Sequence, residues 1–263
     1  MNKIKILFLA ANPQNTPQLR LDEEIRAITE KIRASDYRDS LELVSVWAVH
    51  PDDLLQSLNE HKPHIVHFSG HGSTKGEIVL VDREQQPKPV RASALKALFT
   101  TLKDNIQIVV LNACYSRLQA EGIAEVIDYV IGMRDTIGDK AAIIFAASFY
   151  RAIGFNRTVQ EAFDQARTAL LLEGIPEEDT PEFLVRPGIN PSNKLIADTR
   201  LLNDKDERTL LREELMTHRK NLRRLQLQLA QWGELNAPIR LFNEIEYEEA
   251  KIKELEQLLS RQV

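Results

Sequence analysis

Five short apolar runs, at residues 4–10, 41–47, 65–69, 106–111 and 129–133, punctuate the first part of this chain and leave few folds open to it. Between them lie segments with helical spacing. Leu21, Ile25, Ile28 and Ile32 recur within residues 19–34, and Pro51 opens a short helix over 51–59. Further helical patterns cover 92–101, 137–152 and 158–172, while 77–81 and 82–90 read as a small hairpin at the rim. Strands that are apolar on both faces and alternate with helices need cover on both sides. Residues 1–173 therefore predict a doubly wound α/β domain, a mainly parallel sheet with helices on both faces.

Past residue 173 the pattern changes twice. Pro176, Pro181, Pro187 and Pro191 rule out a continuous helix, and residues 183–185 are expected to add a last edge strand. From about residue 205 the signal is helical only. Leu215, His218, Leu222, Leu225, Leu229 and Trp232 form a heptad seam, and after a break at 233–238 a second seam runs through Phe242, Ile245, Ile252, Leu255 and Leu259. Two such helices joined by a Gly/Pro turn make an antiparallel hairpin. The basic run Arg219, Lys220, Arg223 and Arg224 would lie opposite Glu244, Glu246, Glu248 and Glu249. The expected organisation is an α/β domain over 1–195, a linker over 196–204 and a helical hairpin over 205–263.

Composition excludes several functions. A net charge of −5 argues against a general nucleic-acid surface, and no stretch approaches the length of a membrane span. The lone cysteine cannot form an intramolecular disulfide and fits a reducing compartment. The apolar run after Met1 is too short for a signal peptide, so a cytoplasmic protein is expected.

Chemistry concentrates where two of the apolar runs end. The third is followed by His71-Gly72 and the fourth by Asn112-Ala113-Cys114. Parallel sheets carry their ligands at the carboxyl ends of their strands. A thiol with a free pKa of roughly 8.5 needs a neighbouring base to become a nucleophile. Cys114 and His71 are the candidate nucleophile and general base, and the backbone N–H groups of Gly72 and Cys114 are the candidate oxyanion donors. A buried strand-end cysteine and a hydrogen-bonded loop histidine are the competing reading of the same residues. His61, His64, His67 and His71 crowd together, but no carboxylate or second thiol joins them at ligand spacing, so no metal is expected. The loop 70–76 lacks the Gly-Lys-Ser/Thr ending of a phosphate loop, and no GxGxxG follows the first strand. No cofactor is expected.

Ser69-Gly-His-Gly72, Leu111-Asn-Ala-Cys-Tyr-Ser116 and Tyr129-Val-Ile-Gly-Met133, followed by residues 145–150, resemble the CHAT family of caspase-like proteases. The resemblance covers about 1–195 and implies a caspase-like fold, His71 as base, Cys114 as nucleophile, and cleavage of a protein substrate. It also implies that Asn112, two residues before the cysteine, lines the pocket for the side chain preceding the scissile bond. Met133, Arg134 and Asp135 would form another wall, and the neutral Asn112 leaves substrate preference open. Thr136 reads as a helix N-cap. The tail is similar to small effector-associated helical modules, which implies a regulatory protein partner bound through 205–263 and a role in prokaryotic antiviral defence or regulated cell death. A catalytically inactive scaffold of the same fold is the alternative.

Overall fold

The computed structural model of the chain describes residues 3–193, 195, 199–233 and 237–261. A six-stranded sheet has the order β2-β1-β3-β6-β7-β8, built from β1 (Ile4–Ala11), β2 (Leu41–Trp47), β3 (Ile65–Gly70), β6 (Ile108–Asn112), β7 (Tyr129–Met133) and β8 (Pro181–Val185). The first five pair in parallel, and β8 runs antiparallel on the edge beside β7. β4 (Ile78–Val81) and β5 (Pro87–Val90) form the expected rim hairpin.

Alternation along the strands divides the core in two. Ile6, Phe8, Ile65, Ile108, Val110 and Ile131 face one side, covered by α1 (Leu21–Arg33), α5 (Asp139–Gly154) and α6 (Val159–Leu172). Leu7, Leu9, Val66, Phe68, Val109, Leu111 and Val130 face the other. That side carries α2 (Pro51–His61), α3 (Ala92–Thr101) and α4 (Arg117–Ala124). Strand order reverses between β1 and β3, because β1 leads outward to β2 while β3 begins the run through β6 and β7. A crevice opens at such a switch point, at the carboxyl ends of the strands.

The structure departs from the local expectations at several points. Helix α4 was absent from the sequence reading; it has only eight residues, with Leu118 exposed and Gly122 inside it. Thr136 does not cap α5. Gly138 takes the N-cap position and donates its N–H to the Glu177 carboxylate at 2.7 Å, while the Thr136 N–H donates to the Asp135 side chain. The last helical segment begins early. Of the expected linker 196–204, residues 196–198 lie outside the described residues and helix α7 (Thr199–Trp232) is under way from Thr199.

The chain divides into two compact units, Met1–Ile196 and Ala197–Val263. In the second, α7 packs on α8 (Ile239–Arg261). Leu215 and Leu225 are buried from one helix, Leu241 and Leu255 from the other. Phe242 was expected in the seam but is 39% exposed, and Leu241 takes its place. The stripe of α8 runs 241, 245, 248, 252, 255, and Phe242 lies one step around the helix from it. Part-buried His218 meets Glu248 within this seam, and Asn221 donates to the same carboxylate at 3.3 Å. Arg219 pairs with Glu256, beyond the acidic run it was expected to face. No helix among the described residues is long and apolar enough to cross a membrane.

Candidate active site

His71 and Cys114 line one cleft at the carboxyl ends of β3 and β6. These strands are hydrogen-bonded neighbours, with Ser69 in register with Asn112. Each candidate residue therefore emerges a short step beyond a paired position, which is why two residues far apart in sequence share one rim. Both are half-exposed.

The backbones beyond these strands touch. A Cβ placed on Gly72 would sit 1.8 Å from the carbonyl oxygen of Cys114 and 2.8 Å from its carbonyl carbon. Only a residue without a side chain permits that approach. On its other side the Gly72 loop pairs with the rim hairpin: Val79 N–H donates to His71 C=O and Ser73 N–H donates to Glu77 C=O. That bonding pattern spends the His71 and Ser73 groups on the hairpin and turns the Gly72 amide away from it.

Cys114 sits in a tight turn between β6 and α4. Tyr115 follows it with φ of 56°, a left-handed conformation unusual for a bulky residue. Two contacts hold the turn. Tyr115 N–H donates to the Asp135 carbonyl at 3.2 Å, which makes that amide unavailable to a substrate. The buried Ser116 hydroxyl donates to Leu111 C=O and accepts from Met133 N–H, both at 2.9 Å. The sulfur lies 3.9 Å from Ile137 C=O.

The His71 imidazole has a defined tautomer. Its Nε2 lies 2.9 Å from the carbonyl oxygen of Pro17, in the loop between β1 and α1. A carbonyl can only accept, so Nε2 carries the proton and Nδ1 is the basic nitrogen. Burial pushes the imidazole below the usual histidine range; the Pro17 carbonyl and the Asp139 carboxylate pull partly the other way. Asp139, at the first turn of α5, also faces Arg20 of the β1–α1 loop across 3.6 Å.

Beneath His71 and Cys114 lies a polar cluster that the sequence reading missed. Glu24 of α1 is 2% exposed and accepts from three residues: His67 Nε2 at 2.9 Å, Asn112 Nδ2 at 2.7 Å, and the Ser69 hydroxyl. The chain continues from His67 Nδ1 to the Tyr150 hydroxyl at 3.1 Å, and the His67 ring stacks on Phe8. Burial and the nearby Glu24 charge hold Tyr150 well above the ordinary phenol range, so its O–H stays a donor. A buried carboxylate is tolerable only when its lone pairs are met in this way. The signal was present but weak: Leu21, Glu24 and Ile28 fall on one face of α1, and His67 and Ser69 share one face of an otherwise apolar strand.

Of the residues expected to wall the substrate pocket, Asn112 lines the cleft. Met133 is fully buried in the core. Arg134 is exposed, donating to Asp179 C=O at 2.9 Å and lying 3.9 Å from the Glu182 carboxylate. Asp135 spends its carbonyl on Tyr115 and its carboxylate on the Thr136 N–H. None of the three is among the residues lining the cleft. The loop after β7 instead reaches it through Ile137 and Asp139. Among the described residues, no group of three or more His, Cys, Asp or Glu side chains is arranged to hold a metal ion.

A mainly parallel sheet delivering a thiol and an imidazole to one crevice from adjacent strands defines a caspase-like α/β domain. Residues 7–183 match the CHAT domain family, and the chain belongs to that family. It is 28% identical over 181 residues to a Roc-COR-CHAT protease from an unknown prokaryotic organism, covering 66% of this chain and 17% of that relative. It is 24% identical over 182 residues to a probable protease of Gillisia limnaea, covering 68% of this chain and 31% of that relative. The chain thus spans less than a third of the length of each.

Proposed function

We propose that this protein is a cysteine endopeptidase in which Cys114 is the nucleophile and His71 the general base. The observation that carries the reading is the shared cleft, with the Gly72 backbone pressed directly on that of Cys114. Anchoring of Nε2–H on Pro17 leaves Nδ1 to take the thiol proton. The thiolate then attacks the scissile carbonyl, and the tetrahedral oxyanion accepts from the amides of Gly72 and Cys114. Collapse expels the amine, which takes the proton back from the imidazolium and leaves a thioester. Water, deprotonated by the same nitrogen, hydrolyses that thioester and restores the thiol. The protease names of both relatives support the reaction class.

The helical pair is the proposed docking element for a regulatory protein. Met216, Leu227, Trp232 and Tyr247 are large apolar residues left exposed on it, which supports that role. The wider setting, a prokaryotic defence or regulated cell-death pathway, rests on the family resemblance. The test is cleavage of a peptide library by wild type and Cys114→Ala, with labelling by thiol-reactive peptide electrophiles alongside. Loss of both signals in the variant supports the protease. Equal behaviour of the two proteins, with no labelling of Cys114, overturns it in favour of a binding scaffold.

A further inference from the structure

We infer that the cleft selects a basic side chain, arginine or lysine, immediately before the scissile bond, and that Glu24 and Asn112 are the residues that read it. This rests on the protease reading. Asn112 lies two residues before Cys114 and lines the cleft with it, so a pocket built around Asn112 receives the side chain adjacent to the attacked carbonyl.

The polar atoms of that pocket are unbalanced. Side-chain donors in and behind its floor converge on one carboxylate: the Asn112 Nδ2–H and the Ser69 hydroxyl, which line the cleft, and the His67 Nε2–H behind them all donate to Glu24, and Asn112 Nδ2 lies 3.4 Å from Ala142 C=O as well. Those bonds also fix which way the Asn112 amide is turned. Its Oδ1 is therefore the atom left over, and it has no hydrogen-bond partner among the described residues although Asn112 is only 4% exposed. An unmet buried acceptor is a standing cost that a ligand donor removes. What the floor offers a substrate is one unmet acceptor, Asn112 Oδ1, beside the negative charge of a carboxylate that already accepts three bonds.

Charge points the same way. The titratable groups around the cleft are Arg20, Glu24, His71, Cys114 and Asp139. Arg20 is engaged by Asp139 at 3.6 Å and by Glu23 at 3.2 Å, so the cation at the mouth is already neutralised, while Glu24 beneath meets His67 and no arginine or lysine among the described residues. The walls are aliphatic, from Leu19, Ile137, Ala142 and Ile143. A lysine or arginine matches this layout, with an apolar stem along the walls and a donor-only head at the floor. Leucine would leave Asn112 Oδ1 unmet and offer nothing to the Glu24 charge, and aspartate would add repulsion. The neutral residue at position 112 concealed this preference because the carboxylate comes from α1.

The test is a set of peptides differing only at the residue before the scissile bond (Arg, Lys, Leu or Asp), presented as substrates and as covalent electrophiles. Wild type is expected to favour Arg and Lys over Leu by ~100-fold or more, since sites built to satisfy buried polar groups reject partners that leave them unpaired. Glu24→Gln is expected to collapse the Arg/Leu ratio, and Asn112→Asp to raise it. The ratio is independent of how much protein is correctly folded, and the second variant serves if the first does not fold. Cleavage with a neutral or acidic preference, or a ratio unmoved by both variants, overturns this inference alone. Failure of every peptide to be cleaved or to label Cys114 overturns it together with the protease reading.

Discussion

Replacing Gly72 with alanine tests the geometry on which the catalytic reading depends. The added Cβ would lie 1.8 Å from the Cys114 carbonyl oxygen, where contacts under 3.0 Å are essentially never tolerated. Both partners are backbone, so no side chain can swing aside, and the two strand ends must separate by about 1 Å. A displacement of that size at reacting groups is enough to cost about 10²-fold in rate, which corresponds to roughly 2.7 kcal/mol of transition-state stabilisation. In the proposed mechanism Gly72 also supplies one of the two oxyanion donors, so the loss is expected to fall on kcat more than on KM. The assay is kcat/KM on the best library peptide, with the rate of covalent labelling at Cys114 and a thermal melt. Gly122→Ala is the control, because its Cβ meets nothing nearer than Lys96 Cδ at 4.0 Å and α4 gains a better helix former. The control is expected to keep full activity and melt slightly higher. Wild-type activity in Gly72→Ala would show that the contact between the two loops does not position the dyad.

Three further outcomes follow from the same contacts. Because burial lowers the His71 pKa, the neutral imidazole persists below the usual histidine value of ~6.5 and activity is lost only as pH falls through the lowered one. Between the two values the unfolded chain binds more protons, so stability also declines as pH drops; an acid limb of kcat/KM centred above ~6.5 would contradict this. Ser116→Ala leaves Leu111 C=O and Met133 N–H without their buried partner, and denaturant unfolding should register a loss of about 1–3 kcal/mol. In the helical pair, Glu248→Leu strands His218 and Asn221, whereas adding His218→Leu removes one of the stranded groups. Hydrogen exchange of α7 and α8 amides should show the single variant opening more readily than the double.

The alternation of fully apolar strands with amphipathic helices determined the layered α/β architecture, since such strands have no stable arrangement other than a sheet covered on both faces. It also determined that His71 and Cys114 end strands, because the apolar runs stop just before them. The heptads of the tail specified a helical pair, though not its detail. Leu241 and Phe242 are adjacent in sequence, and which of them is buried depends on how α8 rotates against α7. Helix α4 escaped detection because a short segment with an exposed leucine and an internal glycine carries little periodicity. Met133, Arg134 and Asp135, expected as a pocket wall, do not line the cleft that holds His71 and Cys114, for a related reason. Their order along the chain is plain, but core packing at Met133 and bonds to Asp179 and Glu182 at Arg134 draw them away from the cleft.

What only the tertiary structure decided is the carboxylate under the site. On α1, Glu24 and Ile25 are equally eligible for the buried stripe by periodicity, and hydrophobicity alone selects the isoleucine. The outcome is instead set by His67, 43 residues away, and Asn112, 88 residues away, whose donors both converge on this carboxylate once the sheet has formed. Periodicity reports which face of an element is apolar. It cannot report that a buried charge will find its partners on two different strands, because those partners become neighbours only when the chain is folded.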